Sequence, residues 1–320
     1  MPSQASDSQP ITAVGVDFGG TFIKLGVCRG GELLESDEPI PTAAHSGPVA
    51  QVKVIAERVK AMRERHPDIA AIGVGVPGLV DFDRGYVHVL TNVPGWNGVQ
   101  LKEMLSTESG LPVTVENDAN AMTYAEWRYG AGRGLKNVIG VTLGTGVGGG
   151  AVLDGKMYRG SQFSAGEIGQ MSIHYAGVDG HYGNFGALEK YIGNQQIGEH
   201  AARRYAQTGL HREPEQCTPK ALADAAQNGD AVAREVWNDV ATWLGTAIAS
   251  IAWLLNPDAF VIGGGVAQSG ALLFEPLKTR VQSMLSAVVW DHLQILPAKF
   301  HNEAGIIGNA ALAGDMVAGK

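Results

Sequence analysis

Asp17 closes an apolar run and is followed at once by Phe18-Gly19-Gly20-Thr21. Glycines let backbone N–H groups close on an anion such as a phosphate. A carboxylate beside such a nest repels phosphate unless a cation lies between them, so the acid and the turn together suit a Mg²⁺-nucleotide. A plain hairpin turn, where Asp and Gly are also common, uses the same residues. Thr145-Gly146 with Gly148-Gly149-Gly150 offers a second nest, and there Thr142 stands in place of the acid, so only the first turn is expected to handle metal. Gly263-Gly264-Gly265, after a third apolar run, can admit a flat ring or a ribose between backbone segments. None of these fits the Gly-x-x-x-x-Gly-Lys-Ser/Thr phosphate loop or carries the full context of a dinucleotide fold.

Asn117-Asp118 lies where a strand pattern turns into a helix pattern. Asp is a favoured helix cap. The same carboxylate at a cleft edge can accept a hydroxyl proton. A helix N-terminus favours the charged form, so Asp118 is expected to be ionised at neutral pH. Such an acid is too weak to strip an alcohol outright. It orients the hydroxyl and takes its proton as the bond to phosphorus forms. Glu167 and Glu189 stand in or beside Gly-rich, aromatic-bearing loops. Carboxylates can accept hydrogen bonds from neighbouring hydroxyls, as in polyol binding; surface acids at these positions are the plainer alternative. His174 and His181 have no Cys between them and no ligand-like spacing, and read as polar loop residues.

The elements that must carry these residues alternate. Residues 1–10 read as a loose tail. Strand, tight turn and strand follow from Ile11 through Gly19-Gly20. A helix is expected over 48–66, a strand over 71–78, a loop to about 98, a short helix over 101–110, a strand over 112–118 and a helix over 119–129. Ile139–Gly155 can then be laid on Val14–Gly30 without gaps, matching Gly15/Gly140, Val16/Val141, Gly19/Gly144, Val27/Val152 and Gly30/Gly155. An echo at that distance indicates two similar α/β halves, unless Gly and Val match by chance in two hairpins. Gly-rich loops run over 160–186. Helices are expected at 187–206, 219–227 and 231–255, a strand at 259–266, a helix at 271–286, a strand at 293–298 and a last helix at 304–318. Strands alternating with helices predict an α/β fold, with ligands in a cleft between the halves.

Composition narrows the classes. With 45% hydrophobic and 18% charged residues over 320 positions, the chain can bury a sizeable core and is not intrinsically disordered. Glycine, at 44 residues, is about twice its usual ~7% share without a collagen period, which points to tight turns and close backbone approach. A net charge of −8 argues against nucleic acid or an anionic membrane as main partner. Cys28 and Cys217 make no disulfide framework and fit a reduced cytoplasm. The start MPSQASDSQP has no apolar signal region. Ala241–Pro257, uncharged but holding Thr, Ser, Gly and Asn, reads as a buried core helix rather than a membrane span.

Taken together these pieces resemble the ROK family of sugar kinases and repressors, within the actin-like ATPase superfamily. The resemblance covers nearly the whole chain. It rests on Asp17-Phe18-Gly19-Gly20-Thr21, on Val115-Glu116-Asn117-Asp118-Ala119-Asn120-Ala121, and on Gly144-Thr145-Gly146-Val147-Gly148-Gly149. Gly166-Glu167-Ile168-Gly169, Leu188-Glu189, Gly263-Gly264-Gly265 and Ala304-Gly305-Ile306-Ile307-Gly308 complete it. The resemblance implies an α/β fold of two actin-like ATPase (ribonuclease H-like) domains with a ligand cleft between them. The small domain would take 11–118 plus 303–320 and the large one 119–302. It implies Asp118 as catalytic base towards a sugar C6 hydroxyl, with Asn117, Glu167, Gln170 and Glu189 binding sugar and Gly78 and Thr91 near sugar-contact positions. Asp17, Gly19, Gly20, Thr21, Lys24, Thr145 and Gly146 would surround the ATP phosphates and Mg²⁺, and Gly263, Gly264 and Gly265 would line the nucleoside. A homodimer is implied by the same analogy.

One departure from the family pattern stands out. The usual Glu-x-Gly-His and Cys-x-Cys-Gly-x-x-Gly-Cys-x-Glu strings supply a structural zinc site. Here the four ligand positions are Gln170, Gly180, Tyr182 and Ala187. No structural zinc is expected, and Tyr175, Tyr182 and Phe185 are expected to pack the loop in its place. The family His also touches sugar; Gln170 can donate and accept hydrogen bonds there. The expected activity is ATP-dependent phosphorylation of a hexose, glucose first. N-acetylmannosamine, N-acetylglucosamine, fructose, mannose and allose are the alternative acceptors, and a non-catalytic sugar-binding regulator is the alternative class. A repressor is not expected, because Asp17 leaves no room before it for a winged DNA-binding region.

Overall fold

The computed structural model describes residues 10–90 and 93–319. Thr91 and nearly all of the expected 1–10 tail lie outside the described residues. In chain order the elements begin with β1 (Thr12–Phe18), β2 (Phe22–Arg29), β3 (Glu32–Ser36), β4 (Ile40–Pro41), α1 (Gly47–Arg65), β5 (Ile69–Val76), β6 (Gly78–Asp81), β7 (Tyr86–Leu90), α2 (Leu101–Ser109), β8 (Val113–Asn117) and α3 (Asp118–Tyr129). They continue with β9 (Val138–Leu143), β10 (Val147–Leu153), β11 (Lys156–Tyr158), α4 (Glu189–Ile192), α5 (Asn194–Gln207), α6 (Pro219–Gln227), α7 (Ala231–Leu255), β12 (Ala259–Gly263), α8 (Ala271–Gln282), α9 (Ala287–Trp290), β13 (Gln294–Pro297) and α10 (Ala304–Val317). The chain divides into two compact units, residues 1–129 with 303–320 and residues 130–302.

The first unit holds a sheet in the order β3-β2-β1-β5-β8, with β4 paired to β2. β1 to β3 run antiparallel, while β1, β5 and β8 are parallel. Parallel neighbours need crossovers, and α1 and α2 supply helices for them. Val52, Ile55, Ala56, Val59 and Met62 of α1 fall at helical spacing and are buried. Part of the glycine excess serves the packing of α10. A Cβ on Gly15 would sit 1.8 Å from the Ile306 carbonyl oxygen, and one on Gly73 1.8 Å from that of Asn309. Bare backbone on β1 and β5 is what admits α10. On α10 itself, Asp315 accepts the Tyr124 hydroxyl at 2.6 Å and pairs with Arg128 at 3.0 Å, both on α3. The β6–β7 hairpin occupies part of the stretch expected to be loop. Its strands are four and five residues long, too short for their alternation to stand out from the polar turn between them.

The second unit repeats the plan in the order β11-β10-β9-β12-β13. β9, β10 and β11 are antiparallel, and β9, β12 and β13 parallel. The two hairpins echoed in sequence are therefore topological equivalents. The gapless overlay nevertheless slips after the turn. Gly15 faces Gly26 in the first hairpin, and Gly140 faces Gly150, not Ala151, in the second. The second turn is one residue shorter, so the matches beyond it pair residues from different register positions.

The helix expected over 187–206 is broken at Gly193, which is extended (φ −67°, ψ 157°) between α4 and α5. α7 runs to Leu255 and is closed by Asn256 in the left-handed region at φ 44°. Its Ala241, Leu244, Ala247, Ile248 and Ile251 are in the core of the second unit. Among the described residues no helix is long and apolar enough to cross a membrane.

Candidate active site

In the first unit, β8 delivers Asn117 and Asp118 to the start of α3. Asn117 caps the helix: its Oδ1 accepts the N–H of Ala119 at 2.9 Å and of Asn120 at 3.1 Å. Its Nδ2 donates to the Gly78 carbonyl at 3.1 Å. Asp118 stands in the first turn, partly exposed, with Oδ1 accepting the Ala119 N–H at 2.9 Å. The cap expected of Asp118 thus belongs chiefly to Asn117. Beneath them Glu116 is buried and accepts the Asn117 N–H at 2.9 Å and Asn120 Nδ2 at 3.1 Å. Glu116 belongs to the Val115–Ala121 string, but nothing in the sequence marks it as a support for this junction. The available signal was an acid directly after the apolar β-branched run Val113-Thr114-Val115.

Asp17 ends β1 on the same sheet. It faces Lys24 across the hairpin, with Lys24 Nζ 3.6 Å from Oδ2, and its side chain is 25% exposed. Burial pushes the Asp17 carboxyl above its ordinary range, and Lys24 pulls it partly back. The turn beyond it is braced. The Gly19 N–H donates to the Phe22 carbonyl at 2.9 Å, the Thr42 hydroxyl donates to the Gly19 carbonyl at 2.8 Å, and the Thr42 N–H donates to the Thr21 carbonyl at 2.9 Å. The N–H of Gly19 is thus committed within the turn. Thr42, far off in sequence, gave no sign of this function.

The second unit gathers a separate set. Glu189 opens α4, and its Oε2 accepts the Val147 N–H at 2.9 Å. A Cβ on Gly146 would come 2.3 Å from that oxygen. Gly146 and Val147 therefore sit directly beside Glu189, at the end of the turn that holds Thr145. Gly264, at φ 88°, is pressed on the Leu143 carbonyl oxygen, 2.2 Å from where its Cβ would be, so the Gly263–Gly265 run lies beside the end of β9 that leads into the Gly144–Gly146 turn. The Asn194 N–H donates to the Gly144 carbonyl at 2.9 Å, which turns the start of α5 towards the same turn. Burial, and then the charge of Glu189, raise the Glu167 carboxyl. Gln170 has a buried Oε1 without a hydrogen-bond partner.

The loop over 172–186 overturns one expectation. Tyr175, Tyr182 and Phe185 are 90%, 81% and 51% exposed and do not pack it. Backbone pairing does: the Ile173 N–H donates to the Gly186 carbonyl at 2.8 Å, Gly186 N–H to Val178 at 2.7 Å and Gly180 N–H to Asn184 at 2.7 Å. Asn184 Nδ2 adds a bond to the Gln170 carbonyl at 2.8 Å. Main-chain bonds need no aromatic side chain, and this is why the aromatic residues gave a misleading signal. Among the described residues no cluster of three His, Cys, Asp or Glu could hold a metal ion.

Comparison with known proteins places the whole chain. The profile of the ROK family matches residues 13–316. A glucokinase of Streptomyces coelicolor is 35% identical over 312 residues, covering 94% of this chain and 96% of that protein. A glucokinase of Halalkalibacterium halodurans is 36% identical over 317 residues, covering 93% and 94%. The crystal structure of a ROK family glucokinase from Streptomyces griseus in complex with glucose and AMPPNP superimposes with a TM-score of 0.80 at 34% identity, covering 94% of this chain and 99% of that one. The twice-used sheet order is that of actin-like ATPase domains, as the resemblance implied. With the match running from β1 into α10, the chain belongs to the ROK family.

Proposed function

We propose that this protein is an ATP-dependent sugar kinase that transfers the γ-phosphoryl group to the C6 hydroxyl of a hexose, with glucose as its acceptor. The observation that carries the reading is the start of α3, where Asn117 holds the helix end and the Gly78 carbonyl while Asp118 presents a carboxylate on the first turn. In this reading Asp118 orients the sugar hydroxyl and accepts its proton as the oxygen–phosphorus bond forms and the bond to ADP breaks. Asn117, Glu167, Gln170 and Glu189 bind the hydroxyls. The orphaned Oε1 of Gln170 supports this, because a sugar O–H would relieve an acceptor that costs about 1–3 kcal/mol unpaired. The glucokinase relatives support glucose and ATP as substrates.

Gly20, Thr21, Lys24, Thr145 and Gly146 are assigned to the ATP phosphates, with Gly19 shaping the first turn, and Gly263, Gly264 and Gly265 to the nucleoside. Asp17 fits a Mg²⁺ that arrives with ATP: a single, partly buried carboxylate already facing one cation suits an ion otherwise held by phosphates and water. When bound, that ion neutralises phosphate charge. We further infer a cytoplasmic homodimer with neither nucleic acid nor membrane as partner. The net charge of −8 and the free, buried Cys28 and Cys217 support the setting, and the exposed Trp253 and Leu254 at the end of α7 support a second copy as neighbour.

The test is ADP release from a panel of hexoses and acetamido sugars with ATP, GTP and polyphosphate, repeated with Asp118→Asn. Saturable glucose- and ATP-dependent turnover is expected. The variant should lose about 10²–10⁴-fold in kcat while keeping glucose affinity. Sugar-independent ADP release, or an active Asp118→Asn, would refute the reading.

A further inference from the structure

We propose that His181 is a positioning residue for the sugar, holding Glu189 in place from the tip of the 172–186 loop. The inference rests on Glu189 being a sugar ligand, as proposed above. One oxygen of Glu189 is taken by the Val147 N–H at 2.9 Å, and the other lies 3.4 Å from His181 Nε2. The carboxylate is thus addressed on both oxygens, from a strand on one side and from the loop on the other. The tip that carries His181 is itself fixed. Gly180 bonds Asn184 across it at 2.7 Å, and Asn184 Nδ2 bonds the Gln170 carbonyl at 2.8 Å. A Cβ on Gly180 would lie 2.0 Å from Asn184 Oδ1, so the turn is closed tightly at this point. The stem is pinned by the Leu188 N–H on the Met171 carbonyl at 2.9 Å. Two side chains of one short turn therefore reach two residues of the candidate sugar set, Asn184 to Gln170 and His181 to Glu189. An imidazole N–H beside Glu189 also offsets the crowding of negative charge between Glu189 and Glu167. With its side chain 51% exposed, His181 has little packing to lose, so its replacement tests the contact rather than the fold.

Glucose binding is measured by calorimetry without nucleotide, alongside steady-state kinetics and melting temperature. The proteins are the wild type, His181→Ala, His181→Gln, Glu189→Gln and the double variant His181→Ala/Glu189→Gln. His181→Ala should weaken glucose about tenfold, as expected for loss of one charge-assisted contact, and raise the glucose KM in step while kcat stays within about twofold. His181→Gln, which keeps an N–H donor, should recover most of the affinity. In the Glu189→Gln background, removing His181 should change little. Unchanged glucose affinity in His181→Ala, with Glu189→Gln weakened, overturns the inference and leaves the kinase reading standing. So does a loss that follows melting temperature and is not rescued by Gln. A Glu189→Gln protein with wild-type affinity, or a wild type that binds no sugar, removes the underlying reading and this inference with it.

Discussion

Glu189 Oε2 accepts the Val147 N–H at 2.9 Å, so the acid assigned to the sugar is bonded to the strand that leaves the turn assigned to phosphate. Gly146 makes room for it, since a Cβ there would stand 2.3 Å from the same oxygen. Gly146→Ala should displace Glu189 and weaken glucose binding about tenfold or more, the effect of losing a hydrogen bond to a charged group. Glucose affinity without nucleotide checks this. An unchanged value would mean that Glu189 does not need its anchor.

Asn117 combines two roles that substitution can separate. Its Oδ1 caps α3 through Ala119 and Asn120, and its Nδ2 holds the Gly78 carbonyl. Asn117→Ala should cost about 1 kcal/mol as a lost cap, a fall of about 2–4 °C in melting temperature. Asn117→Ser keeps a capping oxygen and should melt higher than Asn117→Ala, yet it lacks the amide N–H to Gly78 and should still bind glucose more weakly. Equal melting losses in both variants would show that the cap is not what Asn117 supplies.

Most of the helical pattern was legible because amphipathic spacing and glycine punctuation are local. Gly19-Gly20 and Thr145-Gly146 marked real strand–turn–strand hairpins, and Asn117-Asp118 marked a real strand-to-helix junction. What stayed hidden depends on distance in the chain. Thr42 braces the turn at Gly19, and Asn184 holds the Gln170 carbonyl, through contacts that no window of sequence contains. The one-residue slip between the echoed hairpins was likewise invisible, because identity of Gly and Val is blind to which residues face each other across a sheet.

The loop over 172–186 is held by main-chain bonds and by Asn184, and the four positions that the family resemblance aligned with zinc ligands carry Gln170, Gly180, Tyr182 and Ala187. Excess chelator should therefore leave melting temperature and protease resistance of this loop unchanged. Asn184→Ala should make the loop open more often and be cut faster by a protease of broad specificity. Stoichiometric zinc in the purified protein, or a chelator-induced drop in melting temperature, would refute this account.

Asp17 should trade stability for function. Burial raises its carboxyl above the ordinary 3.8, and Lys24, itself 39% exposed, restores only part of the loss. An acid whose folded pKa is raised favours folding in its protonated form. That contribution is complete below pH 3.8 and is lost as the pH climbs through the folded value. Asn has the shape of the protonated acid and never ionises. Asp17→Asn should thus melt higher than the wild type at neutral pH, with the gap closing as the pH falls towards about 4. The same variant should bind glucose normally but lose turnover, because the phosphate turn then lacks its carboxylate. Melting temperatures over a pH series, set beside kcat at neutral pH, give the comparison. A variant that melts lower at neutral pH, or a gap that ignores pH, would show that burying the ionised carboxylate does not destabilise the fold.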